Sequence, residues 1–229
     1  MKLKSVAEGV WTASCMVRIP GGFRLPTRMT VLRLSPGQLM VISPIKVTPQ
    51  IENEIRELGR VRYIVAPNCM HHLFFNDFVE LFPEAERWGP RDLRHKRTDI
   101  ILAGVIEEGT SLPWEPEVAS AVIKASPPLF EEIIFFHHES QTLVVTDLFY
   151  NLHRFNNGIE KFFARLNGVY KKLTMSRIGR RFFSDKKSLR AAAERVTVWK
   201  PQTLIMAHGK VLTSEVPSEL EKAFTHALR

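Results

Sequence analysis

No stretch of this 229-residue chain stays apolar over the ~18–20 residues that a membrane-crossing helix needs, so no membrane partner is expected. Cysteine is scarce as well. Cys15 and Cys69 are the only two, both in apolar surroundings. That excludes a disulfide framework, and the simplest reading is a pair of reduced thiols in a cytoplasmic protein. The opening MKLKSVAEGVWTAS meets Glu8 before any apolar core develops, so it does not read as a secretory signal. Neither a low-complexity tract nor a short internal repeat is present. The one glycine-rich stretch, IPGGF, lacks the spacing and the following Lys-Ser/Thr of a phosphate-cradling loop.

Acidic residues are also in short supply, 24 against 32 basic ones, and the shortage is local. Residues 161–195 hold eleven Lys and Arg against Asp185 and Glu194 alone, a block of +9 that leaves the rest of the chain at −1. Such a block meets phosphates or an acidic partner, or it is a solvated helical face. Its aromatic residues, Phe162, Phe163, Tyr170, Phe182 and Phe183, mostly come in pairs suited to packing a helix onto the body, not spaced as a stacking platform. Nucleic-acid binding is therefore expected to be weak and without site preference.

What is present is a balanced 45% of hydrophobic residues with 24% charged, enough chain for a substantial core. Strands are expected at Val10–Val17, Thr30–Leu34 and Leu39–Ser43, with turns in PGGFRLP and at Pro36-Gly37. Thr48-Pro49 reads as a helix cap followed by proline in the first turn. Ile51, Ile55 and Leu58 follow at helical spacing, and Gly59 is the stop. Val61–Ala66 is a buried strand, and a helix carrying Phe74, Phe78 and Leu81 ends at Pro83. The second half repeats the logic: strands at Ala121–Ala125, Ile133–Phe136 and Leu143–Thr146, helices near Gly158–Tyr170 and Ser184–Val198, strand Thr203–Met206, and a last helix from Pro217 to Leu228. Thr98–Pro116 is the least defined part and reads as the join. Strands followed by helix, strand and helix in each half suggest two packed sheets with helices outside, an α/β sandwich.

Three strands end in residues that bind metal or perform acid/base work. His71 and His72 follow Tyr63–Ala66 in YIVAPNCMHHLFF. Asp147 closes TLVVTD, and His208 closes TLIMAH. Sites gather at the carboxyl ends of strands, where loops converge above a rigid sheet. Imidazole and carboxylate together suit zinc, manganese or iron.

The order of strand–His cluster, strand–Asp and strand–His-Gly resembles the metallo-β-lactamase superfamily. The segments YIVAPNCMHHLFF, FFHHESQTLVVTDLFYN and LIMAHGKV resemble, more narrowly, an uncharacterised bacterial branch of it, a domain of unknown function. The resemblance implies an αββα sandwich, one domain over residues 1–229. The superfamily's first motif, His-x-His-x-Asp-His, would fall on Pro67, Cys69, His71 and His72, so its first two histidines are missing. The region of its next histidine, VIKASPPLF, offers no ligand. Asp147 matches the bridging aspartate and His208 the last histidine. The resemblance thus implies loss of the first metal and a reduced site for one zinc or other divalent transition metal. His71, His72, Asp147 and His208 would be its ligands, with Asp147 also catalytic by holding the proton of a water. Such a metal lowers the pKa of water to about 7 and polarises an ester or phosphate. The substrate, a small molecule, is not specified by the fold.

Other readings of the same residues stay open. A histidine in an apolar run is usually a core residue donating to a carbonyl. Asp147 could cap LFYN, and His208-Gly209 could be a turn. On that reading the protein is a non-catalytic binding module, with the 161–195 block contacting an anionic ligand or nucleic acid. A relic of a metal site should show replacement hydrogen bonds. His137 and His138 flank a hairpin turn at the far end of the strands. His153 follows Asp147 closely enough to be a partner in its pocket. His95 and His226 carry little signal.

Overall fold

The computed structural model describes residues 1–18, 24–35, 37–124 and 130–229. The IPGGF stretch, part of the PGGFRLP turn, Pro36 and the segment 125–129 within VIKASPPLF lie outside them.

The first sheet is an antiparallel meander of β1 (Lys4–Ala7), β2 (Val10–Arg18), β3 (Arg24–Leu34) and β4 (Gln38–Ile42). It continues in parallel pairing through β5 (Arg60–Val65), β6 (Glu86–Gly89) and β7 (Gly104–Val105). The second sheet pairs β8 (Val118–Lys124), β9 (Glu131–His137) and β10 (Thr142–Asn151) antiparallel, and adds β11 (Thr203–Gly209) parallel to β10. The helices are α1 (Pro49–Leu58), α2 (Phe75–Leu81), α3 (Arg91–Lys96), α4 (Gly158–Leu166), α5 (Gly179–Phe182), α6 (Lys186–Trp199) and α7 (Val216–Leu228). None is long and apolar enough to cross a membrane.

Side chains alternate across a strand, so neighbouring residues serve different layers. Val31 and Ile64 pack outward with Ile51, Ile55 and Phe78 of α1 and α2. Their neighbours Leu32, Tyr63 and Val65 face inward against Ile133, Phe135, Val144 and Ile205 of the other sheet. Ile134, Phe136 and Leu204 then turn the opposite way, toward Leu189, Val196 and Phe224 of α6 and α7. Helix, sheet, sheet and helix are the four layers of the expected αββα sandwich. Strands covered on both faces carry unbroken apolar runs such as IIFF and LVV, which is why they lack polar alternation.

Local signals act as expected at α1. Thr48 accepts from the Ile51 amide at 3.4 Å, and Pro49 opens the helix. Helix α4 stops at Leu166 and does not run to Tyr170, because Gly168 turns the chain at φ +76°. Strand β3 begins at Arg24, so Arg24–Pro26 belong to the strand and not to the expected turn. Strands β1, β6 and β7 and helices α3 and α5 are additions to the sequence reading. The expected join, Thr98–Pro116, is anchored by the fully buried Trp114, whose ring meets Tyr63 at 5.1 Å and Trp88 at 5.2 Å edge-on. The aromatic pairs of the basic block do not all pack inward. Phe183 is buried against Phe130, but Phe162 and Phe182 face solvent.

Candidate metal centre

Strands β10 and β11 pair in register from Thr142↔Thr203 to Val145↔Met206, and again at Tyr150↔His208. Between those points β10 spends three residues more than β11, so residues 146–149 bulge out of the ladder. Asp147 sits in that bulge. A bulge in the interior leaves amides without ladder partners, and here a carboxylate on β9 takes them. Glu132, wholly buried, accepts from the Thr146 amide at 2.8 Å and the Asp147 amide at 2.9 Å. Burial, and then the charge of Asp147, push the Glu132 carboxyl up from its ordinary range.

His71 is positioned by an Asx turn. The side-chain oxygen of Asn68, just past β5, accepts from the amides of Met70 and His71 at 2.8 and 2.9 Å. The Asn68 amide group donates across to Thr146 Oγ1 (3.1 Å) and Asp147 Oδ2 (2.9 Å), joining the two loops. Ser43, at the end of β4 and buried in the left-handed region at φ 55°, lies 2.7 Å from His71 Nδ1. A non-glycine residue held there is a local strain of the kind found at functional sites.

His208 ends β11 against β3. Its Nδ1 donates to the Pro26 carbonyl at 2.6 Å, and its ring stacks on Tyr150 at 5.0 Å. Gly209 follows at φ +129°, with its α-carbon so close to β10 that a Cβ would lie 2.2 Å from the Asn151 carbonyl oxygen. Arg28 of β3 fastens the same corner, donating to the carbonyls of Met206 and Gly209.

The outcome is a trio. His71 Nε2 lies 3.4 Å from Asp147 Oδ2, and His208 Nε2 lies 3.0 Å from Asp147 Oδ1. The three ligand atoms all fall within 4.8 Å of one another. Ligands held at ~2.0–2.2 Å around a tetrahedral ion lie roughly 3.3–3.6 Å apart, and the two imidazole–carboxylate separations, 3.4 and 3.0 Å, are close to that spacing. The hydrogen-bond chemistry fits as well. The Pro26 carbonyl only accepts, so the His208 proton is on Nδ1, and a neutral ring presents a bare lone pair to a carboxylate oxygen. Two acceptors 3.0 Å apart need a cation with them, either a second proton on the ring or a metal. Burial opposes charge on Asp147, but His71 and His208 together hold its carboxyl well below the ordinary range. Tyr150 adds a hydrogen bond to Asp147 Oδ1 at 3.1 Å, and burial pushes its phenol well above normal, so it stays a donor.

His72 does not join the trio, which corrects its expected place among the ligands. Adjacent residues on the loop point apart, and the His72 Nδ1 accepts from Arg97 Nη1 at 2.7 Å. Burial, then Lys96 and Arg97, lower its pKa to about 4, so the ring is neutral. Cys69, in the slot of a lost family histidine, is no substitute ligand. Burial, then the charge of Asp92, push its thiol up to about 12, far from the thiolate that metals bind. His153 is exposed and bonds Asn151 Oδ1 at 2.8 Å instead of entering the pocket. His137 lies at the far end of β9, held by Ser140 and the Arg33 carbonyl. The sequence reading missed Ser43, Asn68, Glu132 and Tyr150. Only Asn68 left a signal, as the turn-former in APN.

The fold defines the class: the architecture is that of the metallo-β-lactamases. DIM-1 metallo-β-lactamase exposed to ceftazidime superposes with a TM-score of 0.66 over 98% of this chain and 95% of that one, at 11% identity. The metallo-β-lactamase FIM-1 from Pseudomonas aeruginosa in its mono-zinc form gives 0.63 over 99% and 95%, also at 11% identity. A putative diflavin flavoprotein A 5 (fragment 1-254) from Nostoc sp. PCC 7120 gives 0.65 over 98% and 94%, at 10% identity. Within that architecture the chain belongs to the family described as a domain of unknown function, DUF4336, which matches residues 8–162. No curated protein matches the sequence.

Proposed function

We propose that the protein is a hydrolase dependent on one divalent transition metal, zinc foremost, held by His71, Asp147 and His208. The observation that supports this best is the convergence of two imidazole Nε2 atoms and a carboxylate, each braced on its far side. Ser43 stands behind His71, Pro26 behind His208, and Asn68 and Tyr150 beside Asp147. Outer partners of this kind orient metal ligands and fix their tautomers. Three protein ligands leave a position open, as in catalytic sites, where the metal supplies Lewis acidity and a water of lowered pKa. Asp147 accepts and returns a proton at its carboxylate, with the Tyr150 hydroxyl steadying Oδ1 and Glu132 fixing the Asp147 backbone. The substrate is a small ester, thioester, lactone or phosphodiester, and the chain works in the cytoplasm.

A second reading draws on one observation of its own. Both oxygens of Asp147 already have protein partners, as a relic site with replacement hydrogen bonds would. On that reading the trio is held by a proton on His208, and the protein is a non-catalytic binding module. Hydrolysis of a panel of the four ester classes separates the two. The first reading expects turnover in at least one class that is lost with chelator, restored by metal and abolished in Asp147→Asn. Absence of turnover across the panel in metal-loaded protein favours the second.

A further inference from the structure

Helix α4 is built the wrong way round for a helix that packs on a core. Ile159, Phe162 and Leu166 share one face at helical spacing. Yet each is more than half exposed, at 63%, 60% and 51%, and the only buried residue of the helix is Ala164, on the other side. The apolar face therefore points away from the body. The C-terminal end of α4 is tied to the next exposed apolar pair, Ile178 and Phe182, through the Arg177 amide bonded to the Asn167 carbonyl at 3.0 Å.

Charge surrounds this face with one sign. Residues 158–182 hold seven Lys and Arg against Glu160 alone. Among the described residues none of the seven is ion-paired to a carboxylate. Three of them, Lys161, Arg165 and Lys171, gather over the ring of Tyr170, at 6.0, 4.6 and 5.6 Å from its centroid. Cations brought together without an acid repel one another, and the cost is relieved when an anion sits among them. An outward apolar face bordered by unpaired cations fits one occupant, a membrane surface rich in anionic lipid. There apolar side chains enter the acyl boundary while cations meet the phosphates.

We infer that α4, with α5 and the Tyr170 cation cluster, docks the protein onto anionic lipid bilayers in the plane of the interface. Contact of this kind needs no spanning segment and so is compatible with the absence of a membrane-crossing helix among the described residues. The opposite, buried side of α4 lies toward the metal-ligand trio. Ala164 packs with Leu152, and Tyr150, which bonds Asp147, borders the same cluster. The inference does not depend on whether a metal binds.

The test is co-sedimentation of the full chain with phosphatidylglycerol-containing vesicles against pure phosphatidylcholine vesicles, with mass measured by light scattering in parallel. Wild-type protein binds the anionic vesicles, weakly the neutral ones, and is released by salt. Each cation near the surface is worth about a fivefold change in partitioning, so the Lys161→Ala/Arg165→Ala variant loses roughly 25-fold. Phe162→Ser/Leu166→Ser loses about tenfold or more. Both pairs are exposed, so melting temperatures stay at the wild-type value and misfolding is excluded. Equal binding to both vesicle types, or no binding, overturns the inference. So does a stable dimer that Phe162→Ser/Leu166→Ser converts to monomer, because a second copy would then be what covers the face. Preference for duplex DNA over anionic vesicles at physiological salt overturns it as well.

Discussion

Asp147 sits among more partners than a structural aspartate needs. Asn68 and Tyr150 donate to it, the two imidazoles flank it, and Glu132 holds its amide. At this scale the predictions concern single side chains. Replacing Glu132 by Gln turns one buried acceptor into a donor facing a backbone N–H, so the variant should lose about 1–3 kcal/mol in chemical denaturation. A change within error would mean that the bulge amides find other acceptors. Removing His208 should act on metal linkage. A metal bound at the trio and present at 100 times its dissociation constant would stabilise the wild type by about 2.7 kcal/mol, and His208→Ala should lose that increment whatever its effect on the apo form. The measurement is the shift in melting temperature on adding metal. A shift that persists in the variant would show that His208 is not a ligand.

At the scale of elements, the loop after β5 is held on two sides. Asn68 turns His71 inward. His72 is drawn out to Arg97, which forks onto Asp99 at 2.7 and 2.6 Å, and Asp99 in turn accepts from Asn76 of α2 at 2.8 Å. The lowered pKa of His72 means that the folded state excludes a proton the unfolded chain accepts. Stability from this source is present above the unfolded value near 6.5 and is lost as pH falls toward about 4. Metal-free protein should therefore melt at lower temperature across that window, and His72→Gln should flatten the fall. An unchanged slope in the variant would place the pH response elsewhere. At the β10–β11 corner, Gly209→Ala meets both a positive φ and the Asn151 carbonyl, and should cost about 2 kcal/mol or more. These elements also mark where the sequence was legible. His71, Asp147 and His208 stand out because each follows an apolar strand that reads as buried. Which of two adjacent histidines turns inward was not legible, since the Asn68 turn and a guanidinium 25 residues away decide it. Glu132 was invisible because EEIIFF looks like a strand entering from solvent. Its partners inside are two amides of the β10 bulge, where β10 slips register against β11.

At the scale of the whole molecule, the strand-rich, helix-closed order of both halves was enough to read the αββα sandwich, because doubly covered strands betray themselves as unbroken apolar runs. Short pieces escaped. Strand β6, ERWG, has neither alternation nor length, and α3, RDLRHK, carries charge on nearly every side. Pro26 argued for a turn, yet it lies in β3, and its carbonyl is what orients His208. The sandwich brings four strands to one corner: β3 and β4 supply the braces, and β10, through its bulge, and β11 supply two of the three ligands. The loop after β5 supplies the third. The central claim is that this corner holds one metal ion. Metal stoichiometry by elemental mass spectrometry, on protein supplemented with zinc and then desalted, tests it most directly. The account predicts about one equivalent per chain in the wild type and its loss in Asp147→Asn. No stoichiometric metal in the wild type, or the same content in the variant, would contradict it.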